Sequence, residues 1–278
     1  TRADAARAEG AGAAAAGADT GLGPLDALRA ARGVLRSMWI YRWREPARRR
    51  RMAALYARFL RPGDLAVDVG AHVGDRVDAF LSLGCRVVAV EPQPALRPLL
   101  RALYGRRDDV TLVEAAVGET EGTLELWLNL PNPTVATGSA EFVASARGAP
   151  GWQGQRWARR TTVPQTTLDA LVAAHGRPAF VKIDVEGFED RVLAGLGEPV
   201  PALSFEFTTI QPEVAVAALR RCAALGPYRF AASLGESHVL VHERGLDADA
   251  MAAWIEALPA EANSGDVYAA LDPRVLGG

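Results

Sequence analysis

Asp68-Val69-Gly70-Ala71-His72-Val73-Gly74-Asp75 is the stretch on which the fold turns. An apolar run over 65–69 precedes it, and the pattern over 74–83 predicts a helix after it. A glycine-rich turn between a first strand and a helix is where open α/β sheets bind nucleotide-like ligands. The alternation then continues. Strands are predicted over 86–90, 110–117 and 122–128, the last antiparallel, with a helix over 94–104. After an irregular stretch, 129–162, come helix 166–174, strand 179–185, helix 188–196, strand 202–207 and helix 212–224. A closing β pair over 228–233 and 237–242 completes the pattern. Strands alternating with helices of about ten residues imply βαβ units, hence an α/β fold with a mostly parallel sheet covered on both faces.

The loop itself discriminates between ligands. A dinucleotide fingerprint aligned on Gly70 needs glycine at 68 and 73, because the backbone must approach a pyrophosphate. The chain has Asp68 and Val73 there. A carboxylate at 68 repels pyrophosphate but suits a cation, which argues against a nicotinamide-dependent dehydrogenase. S-adenosylmethionine carries an ammonium and a sulfonium and no phosphate, and Asp68-x-Gly70-x-x-x-Gly74 is the form of the loop that accompanies it. Glu91 ends the strand over 86–90, 21 residues after Gly70, where an acid accepts hydrogen bonds from ribose hydroxyls. Pro92 then stops that strand. Glu114 stands at the end of the third strand, and the small Ala115 leaves room for an adenine.

These pieces resemble the FkbM-type methyltransferase family. The matching stretches are 68–74, 88–94 (Val-Ala-Val-Glu-Pro-Gln-Pro), 167–171, 181–189 (Val-Lys-Ile-Asp-Val-Glu-Gly-Phe-Glu), 192–196, 204–207 and 265–268, in family order. His72 departs from the Asn usual at its position. The resemblance implies a Rossmann-like class I methyltransferase with a seven-stranded sheet, using S-adenosylmethionine, commonly on a hydroxyl of a sugar or secondary metabolite. Asp68, Gly70, Ala71, His72, Gly74, Glu91, Pro92, Glu114, Ala115 and Asp184 are the expected cofactor contacts.

Methyl transfer to an alcohol needs near-attack geometry and a group that removes the hydroxyl proton. The strand over 179–185 delivers Asp184 and then Glu186 to the ligand edge of the sheet, and the strand over 202–207 delivers Glu206. Asp184 is expected to face the methionine amino group or the substrate, with Glu186 and Glu206 positioning the acceptor. Three converging acids could instead hold a divalent metal; the absence of a suitably spaced His or Cys disfavours it. Glu186 and Glu189 could also simply cap the next helix. Lys182, two residues before Asp184, shares its face. His72, with an ordinary pKa near 6.5, is a further candidate base.

Composition bounds the rest. Of 278 residues, 49% are hydrophobic and 23% charged, which excludes a disordered, collagen-like or coiled-coil chain. The 31 basic residues are arginines except Lys182, against 33 acids. Two distant cysteines, Cys85 and Cys222, read as buried thiols in a reducing cytoplasm. No apolar run reaches the ~18–20 residues of a bilayer span. Thr1 is not a natural start, so an upstream segment is expected. Residues 1–24, rich in Ala and Gly, are expected to be disordered. Their acids (Asp4, Glu9, Asp19) do not suit a signal peptide.

Residues 25–61 read as an Arg-rich helical extension whose stripe of Leu28, Leu35, Trp39, Leu55, Tyr56, Phe59 and Leu60 is expected to pack on the core. The arginines between Arg42 and Arg51 raise the alternative of an RNA-binding methyltransferase or a membrane-surface protein, which the acidic remainder of the chain disfavours. Residues 62–278 form the expected methyltransferase domain, with 129–162 a candidate substrate lid. A small molecule or glycan is the expected acceptor. The sequence does not specify the oligomeric state.

Overall fold

A computed structural model describes residues 22–242 and 244–277, so most of the Ala/Gly-rich tail lies outside the described residues. The chain opens with α1 (Pro24–Ser37), a π-helical turn (Met38–Trp43) and α2 (Pro46–Tyr56). Both helices start on proline, whose fixed φ and missing N–H suit a first turn. Then follow β1 (Leu65–Val69), α3 (Asp75–Ser82), β2 (Arg86–Val90), α4 (Arg97–Tyr104), β3 (Val110–Val113), β4 (Ala116–Val117), β5 (Gly122–Leu128), α5 (Ala140–Ala146) and β6 (Arg159–Thr166). The remaining elements are α6 (Leu168–His175), β7 (Phe180–Ile183), α7 (Glu189–Ala194), β8 (Ala202–Thr208), α8 (Pro212–Leu225), β9 (Arg229–Leu234), α9 (Ala248–Glu256) and β10 (Ser264–Ala270).

Seven strands form one sheet in the order β3-β2-β1-β7-β8-β10-β9. Among the described strands of that sheet only β10 runs opposite to the others. This is the Rossmann-like class I methyltransferase arrangement that the sequence led us to expect. β1 and β7 are buried along their whole length, as central parallel strands covered on both faces must be. The strand order reverses between β1 and β7. At such a switch point the connections leave in opposite directions and open a crevice at the carboxyl ends of the strands.

The structure corrects several boundaries. The strand expected over 110–117 is two: the chain leaves the large sheet after Val113, and β4 joins a second sheet of order β4-β6-β5. The stretch 129–162, read as irregular, contains α5 and the start of β6. Arg, Thr and Pro fill most of β6 and only Val163 is fully buried, so alternation was faint there. Residues 237–242 are not a strand, although Val239-Leu240-Val241 has strand composition; Val239 and Val241 are exposed. β10, from much later in the chain, takes the place between β8 and β9.

The extension is helical, but its apolar stripe does not pack as expected. Leu55, Tyr56 and Leu60 are buried in the core, and Phe59 stacks on Tyr268, whereas Leu28, Leu35, Trp39 and Trp43 are exposed. α1 instead buries Asp26, Ala30, Gly33 and Ser37. Small residues permit the close approach: a Cβ at Gly33 would overlap the Leu130 carbonyl. Asp26 anchors the helix through Arg159, 2.5 Å away.

Candidate active site

The loop after β1 owes its shape to two glycines. Gly70 has φ +87°, and a Cβ there would overlap the Asp184 carbonyl at the end of β7. Gly74, at φ +78°, starts α3, and a Cβ there would strike the Tyr104 ring. The Gly70 and Ala71 amides donate to the Val90 carbonyl at 2.9 and 3.0 Å. The His72 amide donates to Glu91 Oε2 and the Gln93 amide to Glu91 Oε1, each at 2.8 Å. Glu91 thus ties the first loop to the second. Burial pushes its carboxyl up to about 7, and the two amides hold it from rising further.

The N-terminal extension holds the same loop from outside. Arg42 donates to the Val73 and Gly74 carbonyls at 3.0 Å and to the Tyr104 hydroxyl at 2.8 Å, and it pairs with Asp78 at 2.7 Å. Arg48 is buried against Asp75 at 2.5 Å. Two of the arginines that suggested a nucleic-acid surface are therefore turned inward.

At the crevice lies a cavity of about 340 Å³. Its wall includes Gly70, His72, Glu91, Pro92, Ala115, Asp184, Glu186 and Glu206. The other expected site residues sit behind or beside the wall. Ala71 is buried and Gly74 belongs to the helix start. Asp68 is 1% exposed, and neither carboxyl oxygen finds a partner among the described residues. Burial raises it to about 7. Lys182 is fully buried, its Nζ 2.5 Å from Asp266 Oδ1 and 3.5 Å from Asp184 Oδ2. Glu114 is turned to α4, 2.6 Å from Arg101 and 3.6 Å from Arg97.

Asp184, Glu186 and Glu206 converge, with one carboxyl oxygen of each within 4.8 Å of the others. Burial alone would raise Asp184, but the charges of Lys182 and of Arg76 at 3.6 Å outweigh it and hold the carboxyl below its ordinary value. Glu186 and Glu206 lie on the other side of the balance. Burial, and then the charges of neighbouring carboxylates, push both well above the ordinary range. Glu186 takes the left-handed φ of +56°, held where its carbonyl accepts the Thr137 hydroxyl at 2.6 Å. Glu189, not Glu186, ties the turn before α7: its carboxyl accepts the Val185 and Gly187 amides at 3.2 and 3.0 Å. Three oxygens this close also match a hard divalent cation, the alternative raised above. Burial lowers His72 to about 4, so its imidazole is neutral at physiological pH, edge-on to Tyr41 at 5.4 Å.

Sequence reasoning missed several wall residues. Arg76, two positions beyond Gly74, bridges Asp75, Asp184 and Glu236. Tyr41 and Ile40 come from the π-helical turn, whereas Trp152 belongs to the 129–162 stretch read from the sequence as a candidate substrate lid. Gly265 and Asp266, quoted above only as part of a motif, reach the wall because β10 lies beside β8.

The residues fit a cationic adenosyl donor. The cavity lies in the range of about 300–1,000 Å³ usual for small-molecule sites. Asp184 supplies a lasting negative charge, Glu91 keeps acceptor capacity beyond its two amides, and Arg76 Nε is buried without a partner among the described residues.

Similar solved structures include precorrin-6y C5,15-methyltransferase from Geobacter metallireducens (14% identity, 80% of this chain and 87% of that one, TM-score 0.37). A putative O-methyltransferase from Klebsiella pneumoniae has 9% identity, 90% and 91% coverage and a TM-score of 0.42. The 1,6-didemethyltoxoflavin-N1-methyltransferase from Burkholderia thailandensis, solved with S-adenosylhomocysteine, has 16% identity, 90% coverage of both chains and a TM-score of 0.36. No curated protein matches the sequence. The family model described as the methyltransferase FkbM domain matches residues 68–239, from the first residue of the glycine loop to beyond β9. With that match over more than half its length, the chain belongs to the FkbM methyltransferase family, and its cofactor is S-adenosylmethionine.

Proposed function

We propose that the protein methylates a hydroxyl group of a sugar or other small natural product. The observation that carries this reading is the pair of cavity carboxyls, Glu186 and Glu206, raised well above their ordinary values beside an Asp184 held ionised. When bound, S-adenosylmethionine supplies an electrophilic methyl group already activated by the sulfonium charge. The residues of this chain do the rest. Glu91 would hold the ribose hydroxyls and Arg76 the methionine carboxylate, while Asp184 would balance the donor's positive charge. Glu206 in its protonated form hydrogen-bonds Asp184. Glu186 Oε2, buried and without a partner among the described residues, accepts the acceptor's hydroxyl proton. Its raised proton affinity makes it a stronger base than an exposed carboxylate. Trp152 stands in the cavity wall, where it would border the acceptor.

The test is incubation with S-adenosylmethionine and a panel of monosaccharides, glycosides, phenols, amines and carbon nucleophiles, with products read by mass spectrometry and the methylated atom assigned by NMR. An O-methyl product supports the reading. Methylation confined to nitrogen or carbon acceptors contradicts it.

A further inference from the structure

The apolar stripe of the N-terminal helix points away from the body of the protein. Leu25, Leu28, Leu35, Trp39 and Trp43 are exposed at 71%, 50%, 64%, 59% and 56%. At 3.6 residues per turn Leu25, Leu28 and Leu35 fall within about a quarter-turn of one another on α1, and Trp39 and Trp43 extend the apolar surface along the π-helical turn. The leucines lie opposite Asp26, Ala30, Gly33 and Ser37, the buried side of α1. Single exposed apolar residues are ordinary, but five along one helix and the turn that follows it, two of them tryptophans, form a patch that water does not favour. Arg32 is exposed within it and Arg36 along its edge, and Arg44 and Arg50 continue the charge beyond it; Arg29 pairs with Asp26, Arg49 with Asp78 and Arg51 with Glu45. The one acid of α1, Asp26, is buried and paired with Arg159.

We propose that α1 and the π-helical turn lie in the surface of an anionic phospholipid bilayer, with the stripe among the acyl chains and the arginines on lipid phosphates. Among the described residues no helix is long and apolar enough to cross a membrane, so the contact is in-plane. Tryptophan favours the headgroup boundary, and arginine extends its charged end from an apolar bed to the phosphates. Charge decides between occupants. A second copy docked stripe to stripe brings two rows of guanidinium groups together with no exposed acid on α1 between them, which costs binding energy. RNA would use the arginines but leave the leucines without a role.

The experiment is flotation of the full chain with phosphatidylcholine vesicles with and without phosphatidylglycerol, at rising salt. Binding is expected to phosphatidylglycerol vesicles, weakening with salt, with a blue shift of tryptophan emission. The double variant Leu28→Glu/Trp39→Glu should bind at least about tenfold more weakly, and Arg32→Glu should weaken binding and flatten its dependence on salt. Both should keep wild-type affinity for S-adenosylhomocysteine, which reports an intact fold. Absence of vesicle binding by the wild type overturns the proposal, as does binding unchanged in the double variant. So does a concentration-dependent dimer that Leu28→Glu dissolves while vesicles are ignored, or a salt-sensitive RNA complex formed in preference to vesicles.

Discussion

Glu186 and Asp184 are two residues apart on the chain, and their surroundings drive their protons in opposite directions. Asp184 has two cations within 4 Å, and Glu186 has buried carboxyls. Glu186→Gln should therefore lower turnover by about 100-fold or more, the usual worth of a positioned base, while S-adenosylhomocysteine affinity stays within a few-fold. The pH profile checks the same point. A base whose value lies above the ordinary 4.5 loses its working form as pH falls through that raised value, so the acid limb of turnover should lie well above 4.5 and disappear in the variant. Asp68 invites a stability test. Its folded value of about 7 exceeds the ordinary 3.8, so its contribution is complete below the ordinary value and is lost as pH rises through 7. Asp68→Asn should exceed wild type in urea stability at about pH 8 by roughly 2–4 kcal/mol, with the gain shrinking towards about pH 5. A constant difference across that range would show that the carboxyl is not held protonated by burial.

At the scale of elements, the π-helical turn and the glycine loop act as one unit, because Arg42 closes on two loop carbonyls, a tyrosine and an aspartate. Arg42→Ala leaves those groups partly unpaired, which should cost about 1–3 kcal/mol of stability. The loosened loop should weaken S-adenosylhomocysteine binding about tenfold by calorimetry, against a negligible change for the exposed Arg50→Ala. Gly70 was legible from the sequence because a turn at positive φ between strand and helix needs a residue without Cβ. The partnership of Arg42 was not, because it joins residues 31 and 32 positions apart and nothing local to either marks it. The stripe of α1 misled for a related reason. Periodicity shows that an apolar face exists, while contact with Leu130 and Arg159 decides which way the helix turns.

For the whole molecule, β1, β2 and β7 announced themselves by apolar runs closed by glycine or acid, and they carry most of the cavity's chemical groups. β10 did not, because Ser264-Gly265-Asp266 has poor strand propensity and its place between β8 and β9 is fixed by tertiary pairing. Asp184, Glu186 and Glu206 were named from the sequence, and Lys182 was placed on the face of Asp184, but their division of labour depends also on Arg76, which only the folded chain brings to them. We propose that the crevice at the ends of β1, β2, β7 and β8 holds the methyl donor, with Glu91 as its ribose anchor. It is tested most directly by thermal unfolding with S-adenosylhomocysteine, with NAD as control, on wild type and Glu91→Ala. At about 100 times Kd, a ligand of the native state adds roughly 2.7 kcal/mol, or roughly 5 °C for a chain of this length. Wild type should show that rise with S-adenosylhomocysteine alone, and Glu91→Ala should lose it. A rise with NAD instead, or an undiminished rise in Glu91→Ala, would contradict it.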